Sequence, residues 1–93
     1  MEFEWDEHKS ASTRARRGFG FDYVVRVFLD PERIDRVDDR RDYGEIRYQT
    51  IGRIGDRVFM IAYTVRGKRI RIISARRAHD HEERTYRQGQ TQR

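Results

Sequence analysis

The sequence predicts a single α+β domain with two N-terminal helices, a four-stranded antiparallel sheet and a C-terminal helix. Its 93 residues suffice for one domain with one modest core. Apolar residues recur at helical spacing in the first third of the chain, and later alternate with polar residues as in strands. A stretch rich in Glu and Arg and free of Gly and Pro follows and favours a last helix. We expect residues 1–88 to form the domain and 89–93 a disordered tail.

The two N-terminal helices differ in their expected burial. The first is predicted over 7–17, with Asp6 as its N-cap and Gly18 at its end. Ala11 and Ala15 are its apolar anchors, so it should lie on the surface. A second, more deeply buried helix is predicted from apolar residues at i, i+3, i+4 and i+7, namely Phe21, Val24, Val25 and Phe28. A strand is the alternative there, because valine is β-branched, but the spacing favours a helix.

Alternation of apolar and polar residues predicts the sheet. The four expected strands are Arg33–Val37, Glu45–Ile51, Val58–Val65 and Arg69–Ala75. The third is almost wholly apolar, as in a central strand covered on both faces. Short turns between the strands favour an antiparallel meander. The last helix is expected over Arg76–Arg87.

Charge is abundant and unevenly distributed. Charged residues make up 40% of the chain, and the net charge is +5. Acidic residues concentrate between residues 30 and 45, whereas 66–77 contains several cations and no acid. This separation indicates one surface for a polyanion and another for a different partner, although a solvated charge pattern is the alternative.

Composition also excludes several classes of protein. The chain has no cysteine, which excludes a disulfide framework and Cys-ligated zinc and fits a reducing compartment. Its acidic N-terminus lacks the features of a signal peptide, and no apolar run approaches the length of a membrane span. We therefore expect a cytoplasmic protein without a membrane partner.

Several segments, taken in order, resemble the BrnT family of type II toxins. They are Phe3-Glu4-Trp5-Asp6-Glu7 with Lys9, Val27–Pro31, Tyr43–Arg47, Arg71–Ala78 and Glu83–Tyr86. The resemblance covers about residues 3 to 87. In one departure, Arg16-Arg17-Gly18 stands where the family commonly has Lys-His-Gly, so a role for that histidine does not carry over.

The resemblance implies a RelE-like form of the α+β fold and a metal-independent endoribonuclease that cleaves RNA and inhibits translation. It also implies a cognate BrnA-like antitoxin with a ribbon-helix-helix portion. Toxin and antitoxin would form a hetero-oligomer that binds operator DNA through the antitoxin. The alternative is a non-catalytic module that binds RNA or the ribosome through the same cations.

Arginines are the first candidates for catalysis. Cleavage by the 2′-hydroxyl of RNA needs the charge on the attacked phosphate to be offset, and guanidinium groups can do this without a metal or cofactor. We predict a cluster of Arg71, Arg76 and Arg77 around Ser74, with Ser74 capping the last helix. In the alternative interpretation Ser74 is only a cap, and Arg71 only a solvent-facing strand residue.

Proton carriers and substrate contacts complete the predicted site. Glu45 and Tyr86 lie in matched segments and are the candidates for proton transfer, although Glu45 can instead pair with Arg47 and Tyr86 can simply pack its helix. The residues predicted to bind RNA are Lys9, Arg47, Tyr63, Arg66 and Lys68. Tyr63 could be a stacking platform for a base or part of the core.

Histidines are weaker candidates. His8, His79 and His81 have side chains suited to proton transfer near neutral pH but lie outside the matched segments. His79-Asp80-His81 also suggests a metal site. Because residues i and i+2 of a helix point to different sides, we expect no metal there.

Overall fold

The computed structural model describes residues 1–91. Their strands are β1 (Glu2–Trp5), β2 (Ile34–Asp38), β3 (Arg47–Ile54), β4 (Arg57–Arg66) and β5 (Arg69–Arg77). Their helices are α1 (Glu7–Arg17), α2 (Phe21–Val24), a 3₁₀ helix (Val25–Leu29) and α3 (Asp80–Thr91). The strands form one sheet in the order β1-β5-β4-β3-β2.

The sheet contains the predicted antiparallel meander and one strand more. Strands β2 to β5 pair antiparallel with their neighbours in sequence. The additional strand, β1, lies parallel to β5, with Glu4 opposite Arg71. The four-stranded antiparallel sheet expected from the sequence is therefore a five-stranded mixed sheet. A four-residue strand whose partner is distant in sequence gives little local signal.

The N-terminal helices cover one face of the sheet, which we call the helical-elbow face. Phe21, Val24 and Phe28 pack there against Phe59 of β4. The predicted second helix is only one α-helical turn that tightens into the 3₁₀ helix. A 3₁₀ helix has three residues per turn, so Val27 is buried in place of the predicted Val25.

Helix α1 has its predicted bounds but buries different residues. The Asp6 carboxylate accepts hydrogen bonds from the amides of His8 and Lys9, as expected of an N-cap. The expected anchors Ala11 and Ala15 are exposed. Ser10 and Thr13 are buried instead, and Ser10 Oγ accepts a 2.9 Å hydrogen bond from the Phe21 amide. A buried hydrogen bond therefore links α1 to α2.

Helix α3 covers part of the opposite face, which we call the α3 face. Tyr86 packs there against Ile51, Val58 and Met60. Its hydroxyl donates a 2.5 Å hydrogen bond to the buried carboxylate of Asp30. No helix within residues 1–91 is long and apolar enough to cross a membrane.

The boundary between β5 and α3 differs from the prediction. Strand β5 continues to Arg77, which pairs with Phe59, and α3 begins only at Asp80. Ser74 therefore lies within a strand and does not cap the helix. Helix α3 includes residues 89–91 of the predicted tail, and 92–93 lie outside the residues that the structure describes.

Candidate functional site

Strand alternation separates two arginines that are neighbours in sequence. Arg77 pairs with Phe59 and shares its place on the helical-elbow face, whereas Arg76 pairs with Met60 on the α3 face. Arg71 lies on the same face as Arg76, because the bulge between them adds one residue. The predicted single cluster of Arg71, Arg76 and Arg77 is therefore not formed.

A cleft of about 430 Å³ on the α3 face contains Arg76. We call it the histidine cleft; it is lined by Arg36, Val37, Asp38, Asp39, Arg40, Gln49, Arg76, His79, His81 and Glu82. The Glu82 side chain is only 3% exposed, and both of its oxygens accept hydrogen bonds from Arg76, at 2.7 and 3.0 Å. Arg36 Nη2 lies 3.5 Å from the same carboxylate.

This pairing fixes the charge state of Glu82. The hydrogen bonds from Arg76 lower the pKa of Glu82 to about 2, against the opposing effect of burial. The carboxylate is therefore ionised at neutral pH, and its charge offsets that of Arg76. Arg76 is committed to an internal ion pair.

A second cleft, of about 360 Å³, opens on the helical-elbow face. We call it the arginine cleft; it is lined by Arg14, Arg17, Gly18, Phe19, Gly20, Asp22, Tyr23, Arg57, Phe59 and Arg77. The rings of Phe19 and Tyr23 lie edge-on to the buried ring of Phe59, at centroid distances of 5.1 and 6.1 Å. The Arg77 guanidinium lies 5.9 Å from the centroid of the same Phe59 ring. Aromatic rings and cations thus line one concave surface.

The end of α1 brings Arg17 to this cleft. Gly18 adopts a left-handed conformation with φ of 88°, and its amide donates to the Arg14 carbonyl, which ends the helix. Gly20 lets the chain turn back closely, since a Cβ at this position would lie 2.7 Å from the Arg14 guanidinium. Arg14 forms a 3.0 Å ion pair with Asp22.

Most of the positive charge in the arginine cleft is uncompensated. Within residues 1–91, Arg17, Arg57 and Arg77 form no ion pair, and the acid that lines the cleft, Asp22, is bound to Arg14. Arg57 begins β4 and Arg77 ends β5, so antiparallel pairing brings both to the same end of the sheet. Three free guanidinium groups around one cleft favour binding of a phosphate-containing polyanion.

A neighbouring groove extends this positive surface along α1. The groove has a volume of about 420 Å³, and its lining includes Lys9, Arg16, Arg17 and Ser74. Arg17 lines both the groove and the arginine cleft. The structure therefore brings the predicted residues Lys9 and Ser74 near the same cationic surface as Arg77.

Other predicted residues are occupied elsewhere. Arg71 forms a 2.7 Å ion pair with Glu4 of β1. Glu45 pairs with Arg47 at 3.2 Å, the contact named in the alternative interpretation, and with Arg66 at 3.7 Å. None of these residues lines the arginine cleft.

The two predicted tyrosines are buried. Tyr86 is buried on the α3 face, as described above. The Tyr63 ring stacks on Tyr48 at 5.4 Å, and its hydroxyl donates a 2.9 Å hydrogen bond to Asp35. Burial, together with this hydrogen bond, raises the pKa of Tyr63. Tyr63 therefore lies in the core, which is one of its two predicted placements. Lys68 lies exposed in the turn between β4 and β5.

Sequence reasoning did not single out Arg57, Phe19 or Tyr23, and for Arg17 it left open an RNA contact or a favourable charge at the end of α1. A signal for Arg17 was present, because Arg16-Arg17-Gly18 occupies the positions of the Lys-His-Gly turn common in the resembling family. Arg57 follows an ordinary turn, and its proximity to Arg77 depends on strand register. That proximity could not be recognised before the sheet was known.

Comparison with known proteins adds an independent finding. A family model described as "Ribonuclease toxin, BrnT, of type II toxin-antitoxin system" matches residues 5–82. Every residue that lines the arginine cleft falls within this range. No curated protein matches the chain.

Proposed function

Since the chain belongs to the BrnT family of ribonuclease toxins of type II toxin–antitoxin systems, we propose that it cleaves RNA in the arginine cleft. The observation that carries this assignment is the set of three unpaired guanidinium groups, from Arg17, Arg57 and Arg77, around one cleft. The arginines of the histidine cleft are less suitable, because each lies against a carboxylate: Glu82 pairs with Arg36 and Arg76, and Asp38 pairs with Arg40.

In the proposed reaction the 2′-hydroxyl of RNA attacks the adjacent phosphorus while the bond from phosphorus to the 5′-oxygen breaks. The 2′-hydroxyl loses a proton and the leaving 5′-oxygen gains one, giving a 2′,3′-cyclic phosphate and a 5′-hydroxyl. Arg57 and Arg77 offset the charge that grows on the phosphate oxygens, so no metal is needed. Asp22, whose Oδ1 is paired with Arg14, accepts the first proton, and the Tyr23 hydroxyl donates the second.

The surroundings of the cleft suit a single strand of RNA. Phe19 and Tyr23 are partly exposed rings on which bases can stack. Lys9 and Arg16, in the neighbouring groove, continue the positive surface beyond Arg17 and can contact further phosphates. We propose that the RNA backbone follows this surface from Arg57 and Arg77, at the end of the sheet, along α1.

Alanine substitution of the cleft arginines tests the proposal. We expect Arg57→Ala and Arg77→Ala each to slow RNA cleavage at least about tenfold, equivalent to about 1.4 kcal/mol in the barrier. The assay follows cleavage of RNA by the purified chain in EDTA, with and without ribosomes. Arg84→Ala, which removes an exposed charge from α3, is the matched control and should keep full activity.

Two outcomes would contradict the assignment. Intact RNA after incubation with the wild-type chain, in both conditions, would favour the alternative of a module that binds RNA or the ribosome without cleaving. This alternative is supported by the lack of a histidine among the residues that line the arginine cleft. Equal loss of activity in Arg84→Ala would indicate a diffuse effect of net charge rather than a site.

A type II toxin has a cognate antitoxin. We propose that here it is a BrnA-like ribbon-helix-helix protein that places acidic residues over the arginine cleft, prevents inhibition of translation and carries the complex to operator DNA. Co-purification of the two proteins should be weakened by Arg57→Glu and unaffected by Arg84→Glu. A complex that still cleaves RNA at the rate of the free toxin would show that the antitoxin binds elsewhere.

A further inference from the structure

The connection between β5 and α3 brings two imidazoles and a carboxylate together on the α3 face. One donor atom from each of His79, His81 and Glu82 lies within 4.8 Å of the other two. His79 Nδ1 is 4.0 Å from Glu82 Oε1, and the two imidazole centroids are 5.9 Å apart. We propose that these three side chains bind a divalent transition-metal ion of the zinc class.

The backbone explains why the spacing of the histidines does not separate them. The objection to a metal site assumes that His79 and His81 both lie within a helix. In the structure α3 begins at Asp80, so His79 precedes the helix and its side chain is not bound by helical geometry. Both imidazoles therefore line the same cleft.

Glu82 is fixed before any metal binds. Its Oε1 accepts a 2.8 Å hydrogen bond from the His79 amide, the contact that a carboxylate three residues into a helix makes with the residue before the helix. Arg76 binds both of its oxygens. Such outer hydrogen bonds orient carboxylates that bind metals, so one of the three ligands is already ordered.

The donor set determines the class of ion. Two imidazole nitrogens and one carboxylate oxygen suit Zn²⁺ or Ni²⁺, whereas Mg²⁺ and Ca²⁺ prefer oxygen ligands alone. Two imidazoles on one tetrahedral zinc have centroids roughly 5 Å apart, because each nitrogen lies about 2 Å from the metal. The centroids of the two exposed imidazoles, now 5.9 Å apart, therefore need to approach each other by only about 1 Å.

Nearby cations weaken the site without blocking it. Arg76 remains bound to Glu82 as an outer partner. Arg36 lies farther from the carboxylate, at 3.5 Å, and its Nε donates a 2.8 Å hydrogen bond to Gln49 Oε1. Asp39 lines the same cleft and contributes opposite charge. The metal would join the β5–α3 connection to α3 and stabilise the folded state by mass action.

Calorimetric titration of the untagged full-length chain with ZnCl₂ tests the proposal. We expect one Zn²⁺ per chain, a higher melting temperature in ZnCl₂, and no such response to MgCl₂. His81→Asn should weaken Zn²⁺ binding at least about tenfold. His8→Asn is the matched control, because His8 is an exposed histidine of α1 outside this cluster and its loss should change nothing.

Three results would overturn the site: no Zn²⁺ binding by the wild-type chain, unchanged affinity in the His79→Asn, His81→Asn double variant, or equal loss in His8→Asn. Both substituted histidines are exposed, so the variants should fold, and circular dichroism checks this. The site lies on the face opposite the arginine cleft. Its failure would therefore leave the proposed RNA cleavage untouched, and failure of cleavage would leave the metal site untouched.

Discussion

The arginine cleft and the histidine cleft both include an arginine from the end of β5, but they differ in whether acidic side chains compensate their arginines. Arg76 and Arg77 are consecutive in β5 and point to opposite faces. Arg76 shares the buried carboxylate of Glu82 with Arg36, whereas Arg77 lies beside Arg17 and Arg57, which form no ion pair within residues 1–91. Positive charge counted along the sequence therefore does not show which arginines are uncompensated. That depends on where the fold places the acids.

The largest expected difference is between alanine substitutions of these two neighbouring arginines, in their effects on stability and on RNA cleavage. We expect Arg76→Ala to lower the free energy of unfolding by about 2 to 3 kcal/mol, because the buried Glu82 carboxylate loses its main ion-pair partner. The 23% exposure of Arg76 and the presence of Arg36 keep the loss below that of a wholly buried pair. We expect Arg77→Ala to change stability by less than about 0.5 kcal/mol.

Urea denaturation measures the stability of both variants. RNA cleavage, assayed at urea concentrations at which both variants are folded, measures their activity. Arg77→Ala should keep its stability and cleave RNA at least about tenfold more slowly, whereas Arg76→Ala should be less stable but cleave at the wild-type rate while folded. The reverse pattern would show that the phosphate site lies in the histidine cleft. Arg76→Ala, Glu82→Ala should recover part of the stability, since removing both partners leaves no buried charge.

The sequence supported the parts of the fold that depend on local pattern. Asp6 and Gly18 bound α1 as predicted, and the alternation after Pro31 identified every strand of the meander. Strand β1 was missed because its pairing with β5 is a long-range contact. The start of α3 was misplaced because pairing of Arg77 with β4 extends β5 over residues of good helix propensity.

The candidate site was harder to predict for the same reason. Arg77 was predicted as a site cation where the last strand meets the last helix, but Arg17 and Arg57, which line the cleft with it, come from other elements. Which arginines share a face depends on strand parity and on one bulge in β5. A one-residue error in either moves a side chain to the other face, and the sequence pattern did not reveal the bulge.

The hydrogen bond between Tyr86 and Asp30 should make the stability of the fold depend on pH. Burial opposes ionisation of Asp30, but hydrogen bonds from the Tyr86 hydroxyl and two backbone amides outweigh it and lower the pKa of Asp30. This depression stabilises the fold above the unfolded pKa of Asp, about 3.9, and the stabilisation is lost as the pH falls through the lower folded value. Tyr86→Phe should therefore cost about 1 to 2 kcal/mol at neutral pH and less in acid.

Urea denaturation at neutral pH and near pH 3 checks this expectation, with Tyr48→Phe as the control, since no hydrogen bond of the Tyr48 hydroxyl is found in residues 1–91. RNA cleavage by folded Tyr86→Phe should match the wild-type rate, because Tyr86 anchors α3 on the face opposite the arginine cleft. An equal cost at both pH values would show that Tyr86 acts through packing and not through Asp30.

The salt dependence of nucleic-acid binding gives the smallest effect and the most direct measure of free charge. Binding to a 2′-O-methyl oligonucleotide, which lacks the attacking hydroxyl, separates affinity from cleavage. Each phosphate contact contributes about 0.7 to the slope of log affinity against log salt for a single strand. Arg57→Ala should reduce the slope by about that amount, and Arg36→Ala should leave it unchanged, because Glu82 already lies against the Arg36 guanidinium. Equal reductions in both variants would mean that internal ion pairing does not decide which arginines hold RNA.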